Sequence, residues 1–241
     1  MTKIAILNTQ VHRTLRVRAE PGARYGDGQR FVPVVISEFP LLAVHYPILL
    51  SKDAETGAFY CGVMLGFDAG ENLFLTEGVA PGLYRPLNLQ RGPFFTSGSE
   101  LAIDLDSPRI DAGGEGEALF DDAGAPTAYL QSIMALMREL HPGLERTKVF
   151  TKTLLDLKLL EPVTIDVGFD DGTSRQVVGL YSVSQEALRG LPDAAVLDLF
   201  RRGYLHLIYL VIASLKQVAV LAQRKNRRLL QGTEGLARPA S

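Results

Sequence analysis

RFVPVVISEFPLLAVHYPILLSKDAETGAFYCGVMLGFDAGENLFL, residues 30–75, carries the pattern that decides the fold. Two apolar runs, 32–36 and 48–50, bracket a segment that begins at Ser37 and ends at His45-Tyr46-Pro47. Ser37 can cap a short helix with Glu38 in its first turn, and Pro40 is tolerated near a helix start. Phe39, Leu42, Ala43 and Tyr46 recur at three- and four-residue spacing, which gives that helix one buried face. Pro47 removes a backbone donor and returns the chain to strand. After a turn at 53–57, residues 59–65 are apolar throughout, as expected of a strand covered on both faces. The stretch therefore predicts strand, short helix, strand, turn, strand, the nucleus of a sheet. Leu73 to Leu75 is expected as a further short strand and 78–82 as a break.

Upstream, residues 1–30 are weakly patterned. Arg13, Arg16, Arg18, Arg24 and Arg30 make them locally basic, with Glu20 and Asp27 as offsets. A solvated, extended arm and an anion-binding arm are both open readings. Downstream, 84–92 is a short helix or turn, and 94–96 with 101–105 forms a hairpin across Ser97-Gly98-Ser99. DAGGEGE, residues 111–117, holds one apolar residue and reads as a boundary between a strand-rich and a helix-rich half. Thr127 caps a helix over 128–141; Pro142-Gly143 breaks it, and a second helix covers 144–160. Val163, Ile165, Val167 and Phe169 then alternate with polar positions, Asp171-Gly172 supplies a turn, and 176–184 returns as the second strand of a hairpin. Ser184 caps a helix over 185–191, and 194–202 follows as another.

The last helix, 204–228, places His206, Gln217 and Arg224 in one sector at about 100° per residue. Leu207, Ile208, Val211, Leu215, Val218 and Ala222 lie opposite. The wide apolar side suits a core face or an interface with a second copy of the chain, a homodimer. The basic run QRKNRR complements the helix dipole, and the tail after Gly232 is expected to be disordered. The fold expectation is α+β: a mixed or mostly antiparallel sheet packed against helices of the C-terminal half. The expected organisation is an arm over 1–30, one domain over 31–231 and a tail over 232–241.

The 241 residues are 46% hydrophobic and 22% charged, the composition of a globular protein with a sizeable core. A net charge of -2 gives no bias toward nucleic acid, and no aromatic residue interleaves the basic run, so no nucleic-acid partner is expected. There is no uninterrupted apolar run of about 18 residues, so no membrane span is expected. The N-terminus lacks a signal-peptide pattern. A lone cysteine, Cys61, sits in an apolar strand and reads as a buried, inert thiol. A cytoplasmic location fits these features.

Chemistry-bearing motifs are missing: no G-x-S-x-G, P-loop, dinucleotide-binding glycine fingerprint, H-E-x-x-H or C-x-x-C. His12, His45, His141 and His206 are scattered. His45 reads first as a partly buried histidine with a backbone partner. Asp104 and Asp106 lie two apart at a strand end, so both can face one side as an acid/base or cation pair, or simply solvate a turn. No metal or cofactor is expected.

Several segments together resemble the SapC family, named after a component of a bacterial surface-layer gene cluster. They are SEFPLLAVHYPI (37–48), LGFDAGENLFL (65–75), Tyr84-Arg85-Pro86, Pro93-Phe94, 104–108, EALFDDAGAPT (117–127), LKLLEPVTIDV (157–167) and GYLHLIYLVIASL (203–215). The resemblance carries over no catalytic residues. Its gene neighbourhoods, with halogenase-like proteins, cupin-like hydroxylases and TonB-dependent receptors, imply an accessory role in nutrient uptake or in modifying an imported compound. On that reading the protein binds a small molecule or protein partner through polar residues of the family-like segments: Glu38, His45, Tyr46, Asn72, Tyr84 and Arg91. Two other readings stay open: an oxygenase-like or hydrolytic enzyme using His45 with Asp104 or Asp106, and a surface-layer export component.

Overall fold

The computed structural model describes residues 3–75, 83–98, 100–111 and 114–236, with side chains to residue 231. The expected break at 78–82 lies outside the described residues, as do 112–113 of the expected boundary and 237–241 of the expected tail. In chain order the elements are β1 (Ile4–Ile6), α1 (Thr9–His12), β2 (Arg16–Val17), β3 (Phe31–Pro33), α2 (Phe39–Leu42), β4 (Ile48–Lys52), β5 (Phe59–Met64), α3 (Leu87–Gln90), β6 (Phe94–Ser97), β7 (Glu100–Asp104), β8 (Ile110–Asp111), β9 (Glu117–Ala118), α4 (Ala128–Asp156), β10 (Leu160–Gly168), β11 (Ser174–Val183), α5 (Gln185–Arg189), α6 (Asp193–Arg201), α7 (Tyr204–Ser214) and α8 (Gln217–Leu236). The chain divides into two compact units, each drawn from two stretches. Unit 1 is Met1–Gly28 with Arg85–Glu145, and unit 2 is Gln29–Tyr84 with Arg146–Ser241.

Unit 2 holds a five-stranded antiparallel sheet in the order β10-β11-β4-β5-β3. Ile48, Leu49 and Leu50 are consecutive and all 0% exposed, so β4 is covered on both faces. Helices α2 and α7 pack together, and α7 lies against β4 and β11. A hydroxyl within apolar α7 fastens this contact: Ser214 Oγ accepts from Ile48 N at 2.9 Å and donates to Val211 O at 2.7 Å. Burying that serine is tolerable because its donor and an acceptor site are both used. Gly62 of β5 is required for close approach, since a Cβ there would lie 2.9 Å from Val32 O and against the Phe31 ring. Cys61 is 1% exposed, and burial pushes its thiol up to about 12, so it is not a thiolate at neutral pH.

The expected hairpin forms as β10 and β11. Asp171 Oδ1 accepts from Thr173 N at 2.9 Å, and Gly172 takes a φ of 82°, the left-handed conformation that favours glycine. The fold is α+β, as the sequence predicts. Several expected details differ. Leu73 to Leu75 is a turn, not a strand. Residues 128–156 form one helix with Pro142 inside, not two helices broken at Pro142-Gly143. A proline deletes one intrahelical bond. Here Leu140, before it, and Phe150 and Leu154, after it, are all buried, so packing on both sides offsets that loss. The final helix, expected as continuous, is interrupted at Leu215-Lys216, and α8 extends to Leu236, past the point where a disordered tail is expected.

Unit 1 contains two three-stranded sheets, β1-β7-β6 and β8-β2-β9. The expected hairpin across residues 97–99 is β6 and β7. Residues expected as an arm supply β1, α1 and β2: Ile4 pairs with Asp104, and Arg16 pairs with both Asp111 and Ala118. The glycine-rich stretch near 111–117, expected as a boundary, joins β8 to β9 within this unit. Thr127 caps α4 as expected, its Oγ1 accepting from Leu130 N at 3.3 Å.

Candidate functional site

Four of the six residues singled out for ligand contact form a connected cluster in unit 2. After the 3-10 turn Ile36–Glu38, the Glu38 side chain folds back, and Oε2 accepts from Val35 N at 2.9 Å. The side chain is 1% exposed, and Oε1 accepts from Tyr84 Oη at 3.3 Å. Tyr46 Oη donates to Tyr84 O at 2.8 Å, so Glu38 and Tyr46 together hold both ends of Tyr84. The Tyr46 ring packs on Phe74 at 4.6 Å between centroids. Asn72 Oδ1 accepts from Phe74 N at 3.0 Å and sets the turn that presents Phe74.

Arg224 of α8 lies over the other partner of this stack, its guanidinium carbon 4.4 Å from the centroid of Phe74. Its Nε is buried and has no hydrogen-bond partner among the described residues. Burial, and secondarily the Arg227 cation, lower its pKa from the ordinary arginine range, though arginine remains charged in proteins. The neighbouring residue shows what a satisfied cation looks like here. Lys225 Nζ contacts Asp68 Oδ2 at 2.8 Å and Glu71 Oε1 at 2.5 Å, and Arg175 Nε contacts Asp68 Oδ1 at 2.6 Å. That network matches two cations with two carboxylates and ties the 66–71 loop to α8 and β11. Arg224 has an aromatic face and, among the described residues, no carboxylate partner.

The remaining sequence candidates stand elsewhere. His45 is half-buried; its ring lies 6.0 Å from that of Tyr46, and its backbone N bonds Leu42 O at 2.9 Å. The imidazole makes no hydrogen bond or ion pair with the described residues, so the backbone partner expected for it is absent among them. Arg91 belongs to unit 1, where Nη1 donates to Phe94 O at 2.8 Å, Nε to Asn88 Oδ1 at 3.2 Å, and the guanidinium covers Phe95 at 4.2 Å. Asp104 and Asp106 are also in unit 1. Asp104 Oδ1 accepts from Asp106 N at 3.1 Å, and Asp106 Oδ2 accepts from Lys3 N at 3.0 Å. These two carboxylates therefore brace a turn and the start of β1. Among the described residues no three His, Cys, Asp or Glu side chains are grouped to hold a metal ion.

Sequence reasoning passed over Phe74 and Arg224. Phe74 lies inside LGFDAGENLFL, where only Asn72 stands out as polar. Arg224 opens the run RKNRR, which reads as helix-end solvation; its place near His206 and Gln217 was the usable signal. One further feature bears on partners. By length and composition alone, a measure that a core helix of a globular protein also meets, Tyr204–Gln231, which includes the turn between α7 and α8, passes as a candidate membrane span with 22% of its apolar window buried. Ile208, Val211, Ser214 and Leu221 are its buried side; Tyr209 is 57% exposed, and Phe200 on neighbouring α6 is 68% exposed.

In comparison with known proteins, the family model described as SapC matches residues 7–221. No curated protein matches the chain, and no solved structure does.

Proposed function

This chain belongs to the SapC family, and we propose that it is a non-enzymatic binding protein whose unit 2 site takes a ligand bearing a carboxylate beside a flat apolar group. The observation that carries this reading is Arg224, a half-buried cation over Phe74 with a buried, unpartnered Nε. A buried donor without an acceptor costs about 1–3 kcal/mol, and an incoming carboxylate recovers that cost through charge-assisted bonds. Half-buried Tyr84 stands nearest the surface for the apolar part of the ligand, and buried Phe74 and Tyr46 back it.

A binding role fits the chemistry of the cluster better than acid/base catalysis does. Both oxygens of Glu38 accept hydrogen bonds that hold the local backbone and Tyr84. General acid/base work needs a group within hydrogen-bond reach of substrate and free to exchange its proton. In the family's setting, such a protein would hold a small molecule or peptide for halogenase-like or cupin-like enzymes in TonB-receptor-linked uptake.

Phenylacetate is a suitable probe, with 2-phenylethanol as its uncharged counterpart. Calorimetric titration of the full chain should give saturable phenylacetate binding and none with 2-phenylethanol. Arg224→Met should weaken phenylacetate about tenfold or more, the loss expected when a charge-assisted pair is removed. Equal affinity in the variant, or no heat with the unaltered chain, would contradict the reading.

A further inference from the structure

We infer that unit 1 carries a second, independent site for an oxyanion, built on Arg85 and Tyr129 beside the buried carboxylate of Asp27. Three buried or partly buried charges meet there. Asp27 is 3% exposed, and its Oδ2 accepts from Arg85 Nη2 at 2.7 Å, Arg109 Nη2 at 2.7 Å and Gly22 N at 2.9 Å. Arg109, 3% exposed, is further engaged: Nη1 donates to Arg18 O at 2.7 Å and Glu20 O at 3.0 Å, and its guanidinium lies 5.3 Å from the Tyr25 ring centroid. One carboxylate thus serves two guanidinium groups, and the group of three keeps one positive charge in excess.

The excess resides on Arg85. Its Nη2 reaches Asp27, but its Nε is buried without a partner, and its Nη1 makes no hydrogen bond among the described residues. Arg85 lines a hollow of about 430 Å³ together with Gln90, Tyr129, Ser132, Leu136 and Glu139. The Tyr129 hydroxyl makes no hydrogen bond with the described residues; the Arg109 and, more weakly, Arg85 cations act on it, and the Glu117 carboxylate acts against them. Burial nevertheless pushes that hydroxyl up to about 12, so it stays protonated and can donate. Gln90 is held beside Arg85, its Nε2 donating to Arg85 O. Ser132 Oγ is committed to Tyr129 O at 2.7 Å. The exposed carboxylate of Glu139 also lines the hollow and opposes a highly charged ligand.

An oxyanion suits this arrangement because it supplies what is missing: acceptors for the free guanidinium hydrogens and the tyrosine hydroxyl, and the charge that neutralises the cluster. Water can satisfy the hydrogens but not the charge. Carboxylate and phosphate share this chemistry. The hollow accommodates a small anion or the anionic end of a larger molecule.

The test uses the full chain, with acetate and inorganic phosphate titrated separately at constant ionic strength against sodium chloride. Binding is read by calorimetry and by chemical-shift change of backbone amides near Tyr129. At least one oxyanion should saturate these shifts where chloride does not, and the stronger of the two identifies the ligand class. Arg85→Gln should weaken it at least tenfold and Tyr129→Phe about tenfold, the loss of one hydrogen bond to a charged acceptor. Arg224→Met, in the other unit, should leave this binding unchanged whether or not the unit 2 proposal holds. If Arg85→Gln does not fold, Tyr129→Phe decides, since it leaves the Asp27 cluster in place. Affinity no greater than for chloride, or full affinity in Tyr129→Phe together with Arg85→Gln where folded, would overturn the assignment.

Discussion

Replacing Asp27 with Asn should lower the stability of unit 1 by about 3–5 kcal/mol, the cost of removing one partner from a buried ion pair. The side chain is 3% exposed, and its Oδ2 holds Arg85, Arg109 and the backbone N of Gly22. Without the charge, two guanidinium groups face each other across a neutral amide. The expected thermal shift is about 10 °C downward. The two-to-one stoichiometry makes a sharper statement. Arg85→Met should cost much less than Asp27→Asn, because the Arg109–Asp27 pair survives it as a neutral unit. In the Asp27→Asn background, Arg85→Met should even restore stability, because it removes an unpaired cation. Denaturant unfolding of the two single variants and the double variant measures this coupling directly. Additive losses would show that Arg85 and Asp27 do not share the charge balance described here.

Phe150→Ala should destabilise unit 2 by about 3–5 kcal/mol through the cavity it leaves. Phe150 is 0% exposed on the C-terminal part of α4. Its ring meets Phe39 edge-on at 6.0 Å and 83°, and Tyr204 at 5.1 Å and 79°. It therefore joins α4 to α2 and to the start of α7, and these aromatic pairs add about 0.5–1.5 kcal/mol each beyond buried area. Phe150→Leu keeps most of the volume and should cost about half as much or less. Equilibrium unfolding that shows less than about 1 kcal/mol for Phe150→Ala would mean that α4 is not seated on this core.

What the sequence made legible was local. Strands β4 and β5 and the β10–β11 hairpin announce themselves because apolar period and turn chemistry are fixed within a few residues, as at Asp171-Gly172. The helix caps at Thr127 and Ser184 follow from the same short range. Pro142 misled because a proline's local preference is real but smaller than the burial on either side of it. Chain organisation was less visible. Arg85 and Arg109 meet Asp27 across separations of 58 and 82 residues, so in the sequence Asp27 is only a charge in a basic stretch.

The same distinction divides the candidate site. Glu38, Tyr46, Asn72 and Tyr84 stand out in the sequence as polar residues within apolar, family-like segments, and the structure brings them into one cluster. All four are framework: their polar atoms bond backbone groups or one another. The residue with unspent capacity, Arg224, comes from a distant helix and was hidden in a basic run. Arg91 and Asp104 are committed to groups two or three residues away, and Asp106 to the distant backbone N of Lys3, a contact that neighbouring residues alone do not reveal.

The central claim is that Arg224 receives a carboxylate and that the ligand leaves unchanged. Nitrogen-15 NMR of the arginine side chains tests it most directly, because the Nε–H of Arg224 is the unpartnered donor itself. Addition of phenylacetate should shift that resonance saturably, and the phenylacetate spectrum should be identical after prolonged incubation. A resonance that does not move at saturating probe, or a probe that is consumed, would contradict the account.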